Sequence, residues 1–145
     1  MKQILPFLLL GCLFGQGCHV QKGSIAVREY NDEIIAQSKH TSYRLVKMKK
    51  AQPRQYYAIP KDNSGNYRMY IIFPSDKVFW LIYLNEKLVR ATVDVNTGVK
   101  NEWNNGIYFF KDGDMIYKEE QRENLISPDE IKKIADEYFR KAKTL

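Results

Sequence analysis

Side chains that commonly carry chemistry are scarce in this chain. Its 145 residues hold two cysteines, two histidines and seventeen carboxylates. The cysteines, Cys12 and Cys18, both fall within the first eighteen residues, and the histidines are His19 and His40. A zinc site needs three or four clustered His, Cys or carboxylate ligands, and no such cluster is spelled out here. Nucleophilic catalysis needs a Ser or Cys beside a base. Beyond residue 18 there is no cysteine and no Gly-x-Ser-x-Gly, and only His19 and His40 to serve as base. Phosphate loops and dinucleotide fingerprints are equally absent. Asp112-x-Asp114 is a fragment of a calcium loop, but Asp112-Gly113 is better explained as hairpin-turn chemistry. What remains is hydrolysis by paired carboxylates, whose spacing is spatial and not sequential. Asp94, Glu102 and Asp114 are the acids whose gathering in one cleft would mark a hydrolase. The reading that follows is a non-catalytic protein without a cofactor, with a carboxylate hydrolase as the alternative.

The N-terminal segment speaks most directly about biology. Lys2 gives a positive start, and Ile4–Leu10 continues through Gly11, Cys12, Leu13 and Phe14 as an uncharged apolar run before Gly15-Gln16-Gly17-Cys18. Charged, apolar and small-residue parts in that order make a secretory signal peptide. The run is too short for the ~20 apolar residues that a membrane-spanning helix needs. Because both cysteines lie in this segment, no disulfide framework holds the folded domain. The segment resembles the signal of bacterial membrane lipoproteins, in which a small residue precedes a cysteine that is lipidated and becomes the mature N-terminus. Gly17 fills the small position before Cys18, while Gly15 stands where Leu is usual; Leu9-Leu10-Gly11-Cys12 offers the alternative site at Cys12. The resemblance implies lipidation at Cys18 and a place in the bacterial cell envelope, at the periplasmic face or cell surface. A plain secreted protein without the anchor is the competing reading. The expected organisation is a signal over 1–17, a tether over 18–24 and one domain over 25–145.

Charge adds one feature. The net charge is +6, and no acidic residue occurs from Ile34 to Lys61, where Lys39, Arg44, Lys47, Lys49, Lys50, Arg54 and Lys61 mingle with Tyr43, Tyr56 and Tyr57. Export removes the domain from nucleic acid, so no nucleic-acid partner is expected. Lys47, Lys49, Lys50 and Arg54 form a candidate membrane-facing basic patch, each cation near an anionic surface adding ~1 kcal/mol. The competing explanation is that lysines guard an exposed strand edge against aggregation.

The elements that must position these residues are legible in outline. Val27, Tyr30 and Ile34 suggest a short amphipathic helix over 25–39. From Thr41 the chain turns to short β-type runs: Tyr43–Met48, Arg54–Ile59, Tyr67–Phe73, Val78–Leu84, Leu88–Val95, Val99–Trp103, Ile107–Lys111 and Met115–Lys118. Turn chemistry separates them at Asp62–Asn66, Asn85-Glu86, Asn96-Thr97-Gly98, Asn104-Asn105-Gly106 and Asp112-Gly113. Connections this short make neighbouring strands antiparallel. In Leu88–Val95, Val89, Ala91, Val93 and Val95 alternate with Leu88, Arg90, Thr92 and Asp94, the pattern of a half-buried strand with one wet face. Val78–Leu84 is apolar throughout and needs cover on both faces, so it is the expected central strand. Ser127-Pro128-Asp129-Glu130 spells a capping box, and Ile131, Ile134, Ala135, Tyr138, Phe139 and Ala142 make one helical stripe after it. The expected fold class is α+β: an antiparallel meander of about seven or eight strands, curved or partly closed, with a C-terminal helix on the sheet. By architecture such a sheet is similar to the helix-grip and lipocalin-like sheets that enclose an apolar pocket. The expected partners are a membrane, through the lipid, and an envelope protein or apolar ligand.

Overall fold

The computed structural model describes residues 42–73, 77–99 and 102–145. Cys12, Cys18, His40, the tether and the helix expected over 25–39 lie outside the described residues. Seven strands run in chain order: β1 (Tyr43–Met48), β2 (Arg54–Pro60), β3 (Arg68–Ile72), β4 (Lys77–Leu84), β5 (Lys87–Asn96), β6 (Trp103–Lys111) and β7 (Asp114–Glu120). They form one sheet in that same order, every neighbour antiparallel, followed by helix α1 (Pro128–Ala142). The architecture is α+β with an open meander; β1 and β7 are its edges. Successive connections alternate between the two ends of the strands, so the β1–β2, β3–β4 and β5–β6 turns share one end and the β2–β3, β4–β5 and β6–β7 turns the other.

Strand β4 is the fourth of seven, as its two-sided apolarity requires. Val78, Phe79, Trp80 and Leu81 are all at most 3% exposed. Alternation sends Phe79, Leu81 and Tyr83 to the face under α1, where they join Tyr57, Met69, Ile71, Ala91, Val93 and Tyr108. Val78 and Trp80 point to the second face, with Tyr70, and Tyr56, Ile72, Ile82 and Trp103 pack against them. In register, the second face lines up Tyr56, Tyr70, Trp80, Thr92 and Ile107 from strand to strand. Beside Ile82, Arg68 and Arg90 extend the same face, over the rings of Tyr43 and Phe109 respectively.

Two expectations are corrected here. The second face of β5 is not wet: Thr92 and Asp94 are 0% exposed. A buried carboxylate requires partners, and Asp94 accepts a short hydrogen bond from Asn105 Nδ2 on β6. The second correction removes a strand. Asn104-Asn105-Gly106 is no turn but the middle of one continuous β6, which leaves seven strands. Asn105 is committed to Asp94, and Gly106 serves close packing and not chain reversal. A Cβ at Gly106 would lie 2.5 Å from the Tyr108 hydroxyl and 2.7 Å from its ring, so only glycine lets that ring lie flat along the strand.

Helix α1 begins as its sequence dictates. Ser127 Oγ accepts from the Glu130 amide at 3.1 Å, and Pro128 occupies the first turn. The Glu130 carboxylate, expected to return the bond, lies 3.4 Å from Lys77 Nζ on β4. The stripe Ile131, Ala135, Tyr138 and Ala142 is buried, with Ile134 and Phe139 packed at its margins. Tyr83 Oη donates to the Ala135 carbonyl at 2.8 Å, pinning the helix to the central strand. At the far end Arg44 of β1 donates to the Leu145 main-chain oxygen at 2.6 Å.

Gly106→Ala is expected to destabilise the protein by about 2–3 kcal/mol through overpacking against Tyr108. Urea unfolding of the variant against wild type checks it; a cost near zero would mean that the Tyr108 ring yields freely.

Candidate functional site

A sizeable cleft with an apolar floor lies where two tight turns meet the helix. Asn85 and Glu86 (φ 52° and 64°) join β4 to β5, and Asp112 and Gly113 (φ 51° and 88°) join β6 to β7. Two consecutive positive φ values give the turn whose twist matches paired strands, and this brings both turns up at the same end of the sheet. Between them and α1 opens a cleft of about 480 Å³, floored by Tyr83, Leu88, Phe110 and Phe139. The floor is rigid: the Phe139 ring stacks on Tyr83 at 4.4 Å and 8°, and Tyr67 meets it edge-on at 5.2 Å.

The rim is polar and of both signs. Lys87 Nζ lies 3.2 Å from Asp112 Oδ1, tying one turn to the other. Lys132 Nζ donates to the Gly113 carbonyl at 3.1 Å, and Lys143 Nζ lies 2.9 Å from Glu86 Oε1. The hydrogen bond to Glu86 raises the Lys143 pKa. The Lys87–Asp112 and Lys143–Glu86 pairs are largely exposed, so each contributes little to stability. Asp136 completes the rim from the helix. A cleft of this size and make-up takes the apolar body of a ligand or of a partner's side chain, with charged groups steering its ends. Its lining holds no Ser, Thr, Cys or His.

This is not the enclosed pocket expected under a lipocalin-like sheet. Of Val78–Leu84 only Tyr83 reaches the cleft, because Phe79 and Leu81, both 0% exposed, are packed solid under the helix. An exposed aromatic patch is not formed either: the large exposed apolar residues among those described are Leu84, Val99 and Ile116, scattered over separate turns and an edge.

The carboxylates named from sequence are kept apart. Asp94 is buried on the second face against Asn105. Glu102 is exposed in the β5–β6 loop, accepting from Thr97 Oγ1 at 2.9 Å. Asp114 opens β7 at the opposite end of β6, facing Lys111 across the turn. Among the described residues no group of three or more His, Cys, Asp or Glu side chains is placed to hold a metal ion. The buried tyrosines are held neutral: burial first, then Asp136, raises Tyr83, and burial first, then Glu120, raises Tyr108.

Glu120 is tied into the fold by three partners. It accepts from Tyr108 Oη at 2.5 Å and from the Leu125 amide at 3.2 Å, and Lys118 Nζ lies 3.1 Å away. Burial pushes its pKa up, but these hydrogen bonds and the Lys118 charge outweigh burial and hold the group below the usual carboxylate range. A group held ionised in this way is a structural clamp between β6, β7 and the loop into α1, not a proton donor.

Lys47 on β1, Lys49 and Lys50 in the β1–β2 turn and Arg54 at the start of β2 are all exposed, at the end of the sheet opposite the cleft. Cys18 and Cys12 lie outside the described residues. The cleft itself escaped sequence reading, because Leu88, Phe110 and Phe139 belong to three separate elements that only the fold brings into contact. The one signal available was the pair of tight turns at alternate connections.

A depressed carboxylate pKa gives stability that is complete above the unfolded-state value and is lost as pH falls through the folded-state value. Glu120→Gln should therefore be less stable than wild type at neutral pH and lose less between about pH 5 and pH 3. Melting temperatures against pH check this; parallel curves for the two proteins would contradict it. No protein family, characterised protein or solved structure matches this chain.

Proposed function

We propose that this chain is a small lipid-anchored cell-envelope protein of non-catalytic type, held by an acyl group on Cys18 and binding an envelope protein or an apolar ligand. The observation that carries the reading is the Gly17-Cys18 pair closing a signal-like segment, in a chain with no cysteine beyond it. A lone cysteine at that position has a chemical reason in lipidation. Support for a binding role comes from the cleft, with its apolar floor and two-signed rim, and from the separation of Asp94, Glu102 and Asp114. The cleft is open to solvent, which favours an occupant that keeps part of itself outside, such as an apolar side chain of a partner protein. No helix among the described residues is long and apolar enough to cross a membrane, so the acyl group is the proposed means of attachment.

Expression of wild type, Cys12→Ser and Cys18→Ser in a bacterial host with labelled fatty acid tests the anchor. Label on wild type and Cys12→Ser, absent from Cys18→Ser, is the expected outcome. Label retained by Cys18→Ser would move the anchor to Cys12, and none on any variant would leave an exported protein without one.

A further inference from the structure

We infer that the β1–β2 hairpin is a second membrane contact, docking its cations on anionic phospholipid headgroups and turning the cleft away from the bilayer. The inference rests on the envelope reading above and adds an orientation to it. Its first support is position. Lysines that guard a strand edge belong on the edge strand, and Arg44 and Lys47 of β1 fit that role. Lys49 and Lys50 do not: the last β1–β2 pair is Met48 with Gln55, so both lysines stand beyond the ladder, where there is no edge to guard. Two adjacent cations on a turn, flanked by Lys47 and Arg54, are instead placed as a tip.

The second support is that the tip is charged without compensation and held firmly. Lys47, Lys49, Lys50 and Arg54 are exposed, and among the described residues none of them has a carboxylate within ion-pair distance. Around the cleft, by contrast, Lys87 is paired with Asp112 and Lys143 with Glu86. Beneath the tip, Gln55 is 2% exposed, donates to the Pro53 carbonyl at 3.0 Å and accepts from Tyr57 Oη at 2.6 Å. Met48 packs against the core from the other strand. The cations are thus presented by a hairpin whose base is fixed in the core.

The third support is topology. The β1–β2 turn lies at one end of the strands and the β4–β5 and β6–β7 turns, which frame the cleft, lie at the other. With the hairpin against the headgroups, the cleft faces the aqueous side, where an envelope partner is met.

The test is partition of the full chain between buffer and vesicles of phosphatidylcholine alone or mixed with phosphatidylglycerol, at low and high salt. The ratio of the two partition coefficients cancels any apolar contribution, so it is read whether or not Cys18 is acylated, and its failure is distinct from failure of the anchor. The wild type should prefer anionic vesicles, and the preference should fade with salt. Lys47→Gln/Lys49→Gln/Lys50→Gln should lower that preference by about tenfold to a hundredfold, and Lys49→Gln/Lys50→Gln by less in the same direction. Lys111→Gln/Lys133→Gln/Lys141→Gln, with the same loss of net charge elsewhere, should keep it. Equal partition of wild type into both vesicles, or an equal loss in the Lys111/Lys133/Lys141 variant, would overturn the inference.

Discussion

Two-sided burial of β4 is the constraint from which the rest of this structure follows. Four consecutive residues, Val78 to Leu81, are withdrawn from water, and successive side chains of a strand point to opposite faces. Such a segment is stable only at the centre of a sheet with cover on both sides. Burying each of its large side chains contributes about 1.5–3 kcal/mol. Helix α1 meets the demand on one face, and its stripe is the width that face requires. The Tyr83 hydroxyl on the Ala135 carbonyl sets where along the strand the helix sits. The position of the cleft is a by-product: the helix covers Phe79 and Leu81 fully but leaves a gap between Phe139 and the two turns beyond Tyr83.

Much of this was legible in the sequence, for local reasons. The central strand announced itself by lacking alternation, and α1 by Ser127, Pro128 and a stripe of period 3.6. Hairpins at Asn85-Glu86 and Asp112-Gly113 followed from Asn85, Asp112 and Gly113, residue types that tolerate positive φ. What failed was wherever a local signal had a non-local use. Asn105-Gly106 looks like a turn, yet Asn105 is there for Asp94 and Gly106 for the Tyr108 ring. Thr92 and Asp94 look like solvent-facing positions, yet both are wholly buried. The bulge between Ile82 and Tyr83 turns Leu88, and not Val89, toward the core, reversing the face expected for that end of β5. The basic patch was legible as composition; that two of its lysines stand beyond the last strand pair was not.

The meander also divides labour between its ends. Because every connection is short, turns alternate strictly, and the unpaired cations of the β1–β2 tip cannot share an end with the cleft. The acids named from sequence, Asp94, Glu102 and Asp114, lie apart, and Glu120 clamps β6, β7 and the approach to α1. The proposed anchor and the proposed charged foot, with the cleft at the opposite end of the sheet, suit a protein that holds something near a membrane.

Orientation on the bilayer tests this account most directly. The chain has no cysteine after Cys18, so a single fluorophore can be placed at Lys50→Cys or Asp112→Cys without competition from the domain. Quenching by headgroup-labelled lipid in phosphatidylglycerol-containing vesicles should be strong for the label at 50 and weak for the label at 112. Equal quenching at both positions, or the reverse order, would contradict it.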